Sequence, residues 1–235
     1  MVGAEFTSGL NLDVGHISVA LSKAGRHAAV NNKEHYLRIN YSAMRKLVLF
    51  MHLSLDGFAC GPNGELDFVT YDEELAQWAD ELMKTVGTPV YGRTTYQLME
   101  SYWPGMLNKP GIPERVSRHA QWVEDIPKVV FSRTLPEASW NNTQLIKDNV
   151  VEEVEKLKEQ PGKDLVIFGS PGLSADLINL GLVDEYRFTL QPIILGNGKS
   201  VFNNNAARHK LRLLDTSTLK SGVVTLHYES AQTPQ

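Results

Sequence analysis

Thiol chemistry is almost missing from this chain: Cys60 is its single cysteine. An internal disulfide is therefore excluded, and the expected compartment is the reducing cytoplasm. The seven histidines are scattered without ligand spacing, and there is neither a C-x-x-C nor an H-E-x-x-H, so no metal is expected. Basic excess is lacking as well. The net charge is −4 with no basic cluster, which argues against nucleic acid and anionic membranes as partners. Long apolar runs are absent too. The run Leu47-Val48-Leu49-Phe50-Met51 is far too short to cross a bilayer.

The first 43 residues are poor in large apolar side chains at any sustained period and rich in Gly, Ser, Ala and Asn. Their charges are mixed and no continuous apolar stretch is present, which argues against a secretory signal. A weak helix over residues 17–30 is interrupted by Gly25. The expectation is an N-terminal extension over 1–43, peripheral to the core, then one domain over 44–230 and a short tail over 231–235. A chain of 235 residues with 42% hydrophobic content can bury one substantial core.

What is present begins at Met44. Lys46 to Ser54 reads as a central strand buried on both faces. The loop from Asp56 to Gly64 follows, bent by three glycines. Thr70 and Glu73 stand at capping-box spacing and predict a helix starting there, with Leu75, Trp78, Ala79, Leu82, Met83 and Val86 as its apolar face. Thr88 to Tyr91 is the next strand, followed by a helix carrying Leu98, Met99 and Tyr102 and a short helix from Pro113 to Trp122. Lys128 to Ser132 and Gln144 to Ile146 read as strands. Asn149 and Glu152 have capping spacing for a helix burying Val151, Val154 and Leu157. After the strand Asp164 to Phe168 and the helix Leu173 to Leu180, helical signals stop. Glu185 to Leu195, Leu211 to Leu219 and Val223 to Glu229 read as strands with turns between them. The pattern is α/β: a mixed sheet with an antiparallel C-terminal edge.

Two glycine junctions carry the functional signal. Val90-Tyr91-Gly92-Arg93-Thr94-Thr95 is a buried strand ending in a glycine turn that opens a helix. A helix beginning there aims unpaired N–H groups outward, Thr94 and Thr95 add hydroxyls, and Arg93 adds a planar donor fork suited to phosphate. Far downstream, Gly169, Ser170, Pro171, Gly172 and Leu173 repeat the arrangement after the strand ending at Phe168. Two such junctions in one domain point to a dinucleotide.

The ordered set Ser54-Leu55-Asp56-Gly57, Tyr91-Gly92-Arg93-Thr94-Thr95, Val130-Phe131-Ser132-Arg133, Ile167-Phe168-Gly169-Ser170, Val183-Asp184-Glu185 and Pro192 through Lys199 resembles the dihydrofolate reductase superfamily. Within it, the set is most similar to the C-terminal reductase domain of the bifunctional riboflavin-biosynthesis deaminase/reductase and its stand-alone bacterial relatives. The resemblance spans about Met44 to Ser230. It implies a three-layer α/β fold, a mostly parallel central sheet with helices on both faces, NADPH as hydride donor and a homodimer. It also implies a cofactor site at Ala59, Gly92, Arg93, Thr94, Thr95, Ser132, Arg133 and the second glycine turn, Gly169 to Leu173. Ser132 and Arg133 fall near the adenosine 2′-phosphate, and His52, Asp56, Gly57 and Ala59 lie over the nicotinamide.

Two departures stand out. The first helix reads Asp72-Glu73-Glu74-Leu75-Ala76-Gln77, with no equivalent of the carboxylate that faces the pterin in dihydrofolate reductases, and Phe68 stands where relatives often have Trp. Hydride transfer to a C=N or C=O bond requires a proton as well. His52, Asp56 and Asp67 are the candidate proton handlers. The expected activity is NADPH-dependent reduction of a small heterocyclic or carbonyl substrate, a riboflavin-route pyrimidine or a pterin. The alternative is a dimeric NADPH-binding sensor or scaffold without turnover.

Overall fold

In the computed structural model, residues 44–202 and 208–231 are described. The expected extension, its weak helix over 17–30 and the tail from residue 232 lie outside them. From Met44 the chain forms one compact unit.

β1 (Leu47–Ser54) is the sheet's central strand, and its uninterrupted apolar sequence has a direct cause. Leu47, Leu49, Met51 and Leu53 belong to one core, packed with Val154, Leu157, Leu177 and Ile178. Val48 and Phe50 point the other way, into a second core with Leu82, Val86 and Val166. With cores on both faces, the period-two alternation of a half-buried strand disappears. The remaining strands are β2 (Phe58–Cys60), β3 (Val86–Gly92), β4 (Lys128–Phe131), β5 (Thr143–Ile146), β6 (Asp164–Phe168), β7 (Glu185–Gln191), β8 (Lys199–Ser200), β9 (Leu211–Thr218) and β10 (Val224–Ser230). The main sheet runs β5-β4-β3-β6-β1-β7-β10-β9. Its pairings are parallel from β5 to β7 and antiparallel from β7 to β9. β2 and β8 make a separate two-stranded ribbon from segments expected to be loop and turn.

The helices are α1 (Glu73–Met83), α2 (Arg93–Tyr102), α3 (Glu114–Asp125), α4 (Val150–Glu159) and α5 (Pro171–Asn179). Two expected caps are corrected. α1 starts after Asp72, whose carboxylate accepts the Leu75 N–H at 2.8 Å, and the Thr70 N–H that a capping box would give to Glu73 goes instead to Gln191 Oε1 at 3.0 Å. Asn149 does precede α4, but in a left-handed conformation with φ of 54° and without a side-chain cap bond. α2 buries Tyr96 against Val123 and Val130, whereas Leu98 and Tyr102 are exposed. No helix among the described residues is long and apolar enough to cross a membrane.

Candidate nucleotide-binding cleft

β3 and β6 are parallel neighbours, so the turns at their C-terminal ends stand side by side although 78 residues separate Gly92 from Ser170. The Gly92 N–H donates to Ser170 Oγ at 3.0 Å. A side chain at position 92 would crowd this contact, since its Cβ would sit 3.3 Å from Leu173 Cβ. Gly169 and Ser170 are consecutive left-handed residues, with φ of 58° and 51°, which turns the chain sharply enough for α5 to start at Pro171. Neither α2 nor α5 has a side-chain cap, so the donors of both first turns remain available to an anion.

These junctions open on a cavity of about 820 Å³. Of the residues singled out in the sequence, the cavity walls bring together His52, Ala59, Gly92, Arg93, Thr94, Thr95 and Gly169 through Leu173. The second strand end is connected by Arg93, whose Nη1 donates to Thr134 Oγ1 at 2.7 Å. Thr134 itself is in the wall; Ser132 and Arg133 are not. The Ser132 hydroxyl instead accepts the Thr134 and Leu135 N–H groups, at 3.3 and 2.9 Å, and so holds the turn after β4.

Two of the expected proton handlers are also outside the walls. Asp56 is fastened by Ser54 Oγ at 2.7 Å and by the N–H groups of Leu195 and Gly196 at 3.1 and 2.7 Å. These bonds, the Ser54 hydroxyl foremost, hold its carboxyl at about 2. Asp56 thus joins the loop after β1 to the loop after β7. Asp67 is exposed and apart from the cavity. His52 does reach the cavity, yet burial pushes its imidazole down to about 4, so it is neutral near pH 7.

The wall also includes Phe50 and Phe168 from β1 and β6, Leu98 and Met99 from α2, and Cys60 from β2, none of them a site candidate in the sequence. Gly198, Lys199 and Ser200 close one side of the cavity, Lys199 and Ser200 by pairing with β2. Gly198 is there by necessity: a Cβ would stand 2.3 Å from the Cys60 carbonyl oxygen.

A mixed sheet with helices on both faces, antiparallel at the C-terminal edge and cleft at the ends of its parallel strands, defines a dihydrofolate-reductase-like α/β protein. Within that class, the chain belongs to the RibD C-terminal domain family, matched over residues 45–225. It is 37% identical over 189 residues to the uncharacterized protein YyaP of Bacillus subtilis, covering 80% of this chain and 97% of YyaP. It resembles in fold the Thermotoga maritima diaminohydroxyphosphoribosylaminopyrimidine deaminase/5-amino-6-(5-phosphoribosylamino)uracil reductase, with a TM-score of 0.58 at 14% identity over 88% of this chain and 63% of that one. It similarly resembles the dihydrofolate reductase of Enterococcus faecalis complexed with NADP(H) and RAB-propyl, with a TM-score of 0.53 at 15% identity, covering 80% of this chain and 97% of that one.

Proposed function

We propose that this protein is an NADPH-dependent reductase of a small heterocyclic or carbonyl substrate of the riboflavin-pathway type. The observation carrying the reading is the meeting of two uncapped helix N-termini, α2 and α5, at one cavity beside Arg93. Pyrophosphate suits those free N–H groups. The chain's residues fit the cofactor: Gly92 leaves room for close backbone approach, Thr94 and Thr95 offer hydroxyls, and Arg93 offers a fixed charge at the rim. When bound, NADPH supplies the hydride. The apolar wall of Phe50, Leu98, Met99 and Phe168 excludes water from the remaining volume, which the substrate occupies.

A second reading, nucleotide binding without turnover, draws support from the absence of Asp and Glu among the described wall residues. NADPH oxidation against a panel of aminouracils, pterins and quinones separates the two. Turnover on at least one is expected, and tight binding with no turnover on any supports the sensor.

The expected assembly is a homodimer, because β9 is a sheet edge that leaves Leu211, Leu213 and Leu214 exposed. Light scattering at micromolar concentration should give twice the chain mass, and a clean monomer refutes it. The domain is expected to be autonomous from Met44: removing residues 1–43 should leave the melting temperature unchanged. Loss of cooperative unfolding would place the extension in the core.

A further inference from the structure

The β1–β7 register sets His52 directly opposite Thr189, on the face where β7 also carries Gln191. Thr189 and Gln191 are completely buried, and buried polar groups of this kind must be hydrogen-bonded. His52 Nδ1 and Thr189 Oγ1 are in hydrogen-bond contact.

The protons along this chain can be placed from its far end. The Thr70 backbone N–H can only donate, so Gln191 Oε1, 3.0 Å away, accepts. The other half of that amide, Nε2, therefore donates to Thr189 Oγ1 at 3.0 Å. The Thr189 hydroxyl proton then has one acceptor in contact among the described residues, His52 Nδ1. Nδ1 accepts, and the neutral ring keeps its proton on Nε2. Nε2 has no partner among the described residues, while the ring packs edge-on to Phe50 with centroids 5.0 Å apart and lines the cavity.

We propose that Thr189, oriented by Gln191 and the Thr70 N–H, is a positioning residue that locks His52 as the Nε2–H tautomer, so that the cavity presents one neutral hydrogen-bond donor to an acceptor atom of the substrate. His52 thereby acts as a donor to a carbonyl oxygen or ring nitrogen, not as an acid that gives up its proton; its depressed basicity agrees. The substrate class follows. The described walls contain no carboxylate to receive a cluster of N–H donors such as a protonated pterin edge, and they favour a heterocycle that shows a carbonyl to His52. The substrate assignment rests on the reductase reading, whereas the tautomer does not.

Long-range nitrogen–proton NMR of the full chain, with labelled histidine, reads the tautomer directly. Wild type should show a protonated Nε2 and an unprotonated Nδ1. Thr189→Val keeps the shape but removes the hydroxyl, and should shift the ring toward Nδ1–H or a mixture; Thr189→Ser should restore the wild-type signature. Gln191→Met breaks the chain one link further out and should shift the ring in the same direction if Thr189→Val does not fold. On any panel substrate that turns over, Thr189→Val should lower kcat/KM by about tenfold, the scale of one hydrogen bond, with recovery in Thr189→Ser. A wild-type Nδ1–H tautomer, or a signature indifferent to both Thr189→Val and Gln191→Met, overturns the proposal. If no panel compound turns over, the reductase reading fails and the NMR result decides the tautomer.

Discussion

Replacing Arg93 with alanine should weaken NADPH binding by roughly ten- to a hundredfold and leave NADH binding nearly unchanged, because a charge-assisted bond contributes on the order of 1.5 to 3 kcal/mol. The selectivity argument is electrostatic. An NADH-selective site usually carries a carboxylate near the adenosine ribose, which would repel a 2′-phosphate. Here the end of β4 has no acid at Ser132, Arg133 or Thr134, and Arg93 reaches across from α2 to bond Thr134. Arg93 lines the cavity and Arg133 does not, so Arg133→Ala should cost less. Arg93 is exposed, so calorimetry with both nucleotides is best performed at low ionic strength. Equal losses for NADPH and NADH would mean that Arg93 does not read the phosphate.

The largest stability effect is expected away from the cleft, at Lys128. This lysine is 1% exposed and its Nζ donates to three carbonyls, those of Val123 at 2.7 Å, Glu124 at 3.1 Å and Ile126 at 2.9 Å. These are the orphan acceptors at the end of α3, where a cation also complements the helix dipole. The ammonium lies 4.7 Å from the centroid of the Trp140 ring, adding a cation–π attraction. Desolvation lowers the lysine's pKa, yet the contacts all favour the charged form. Lys128→Ala should cost about 3 kcal/mol, through lost bonds, unpaired buried carbonyls and a cavity. Lys128→Met, which keeps the stem, should recover only the packing part. Urea unfolding measures both, and a loss below about 1 kcal/mol for the alanine variant would show that water replaces the ammonium.

β1 could be read because a strand between two cores needs apolar residues on both faces, and that requirement is written locally. The glycine junctions could be read for the same reason, since a strand-to-helix turn with a close neighbour at Leu173 restricts the residue at position 92 itself. Leu98 and Met99 of α2 could not be placed in the cleft beforehand, because a wall for an apolar ligand has the same composition as a core. The partners of Asp56 were not legible, because Leu195 and Gly196, whose N–H groups donate to it, come from a loop about 140 residues away along the chain.

By itself the sequence determined the alternation of strands and helices, the antiparallel edge, the family and the two strand-to-helix glycine turns, all properties of short windows of residues. Tertiary structure alone decided which of those windows meet. β3 and β6 become neighbours by crossover, β8 covers β2, and Thr189 and Gln191 arrive beneath His52 from 137 and 139 positions away along the chain. The physical reason is that a proton's position or a cavity's wall is set by contacts within a few ångströms, and the residues making them are drawn from strands whose order in the sheet no local pattern encodes.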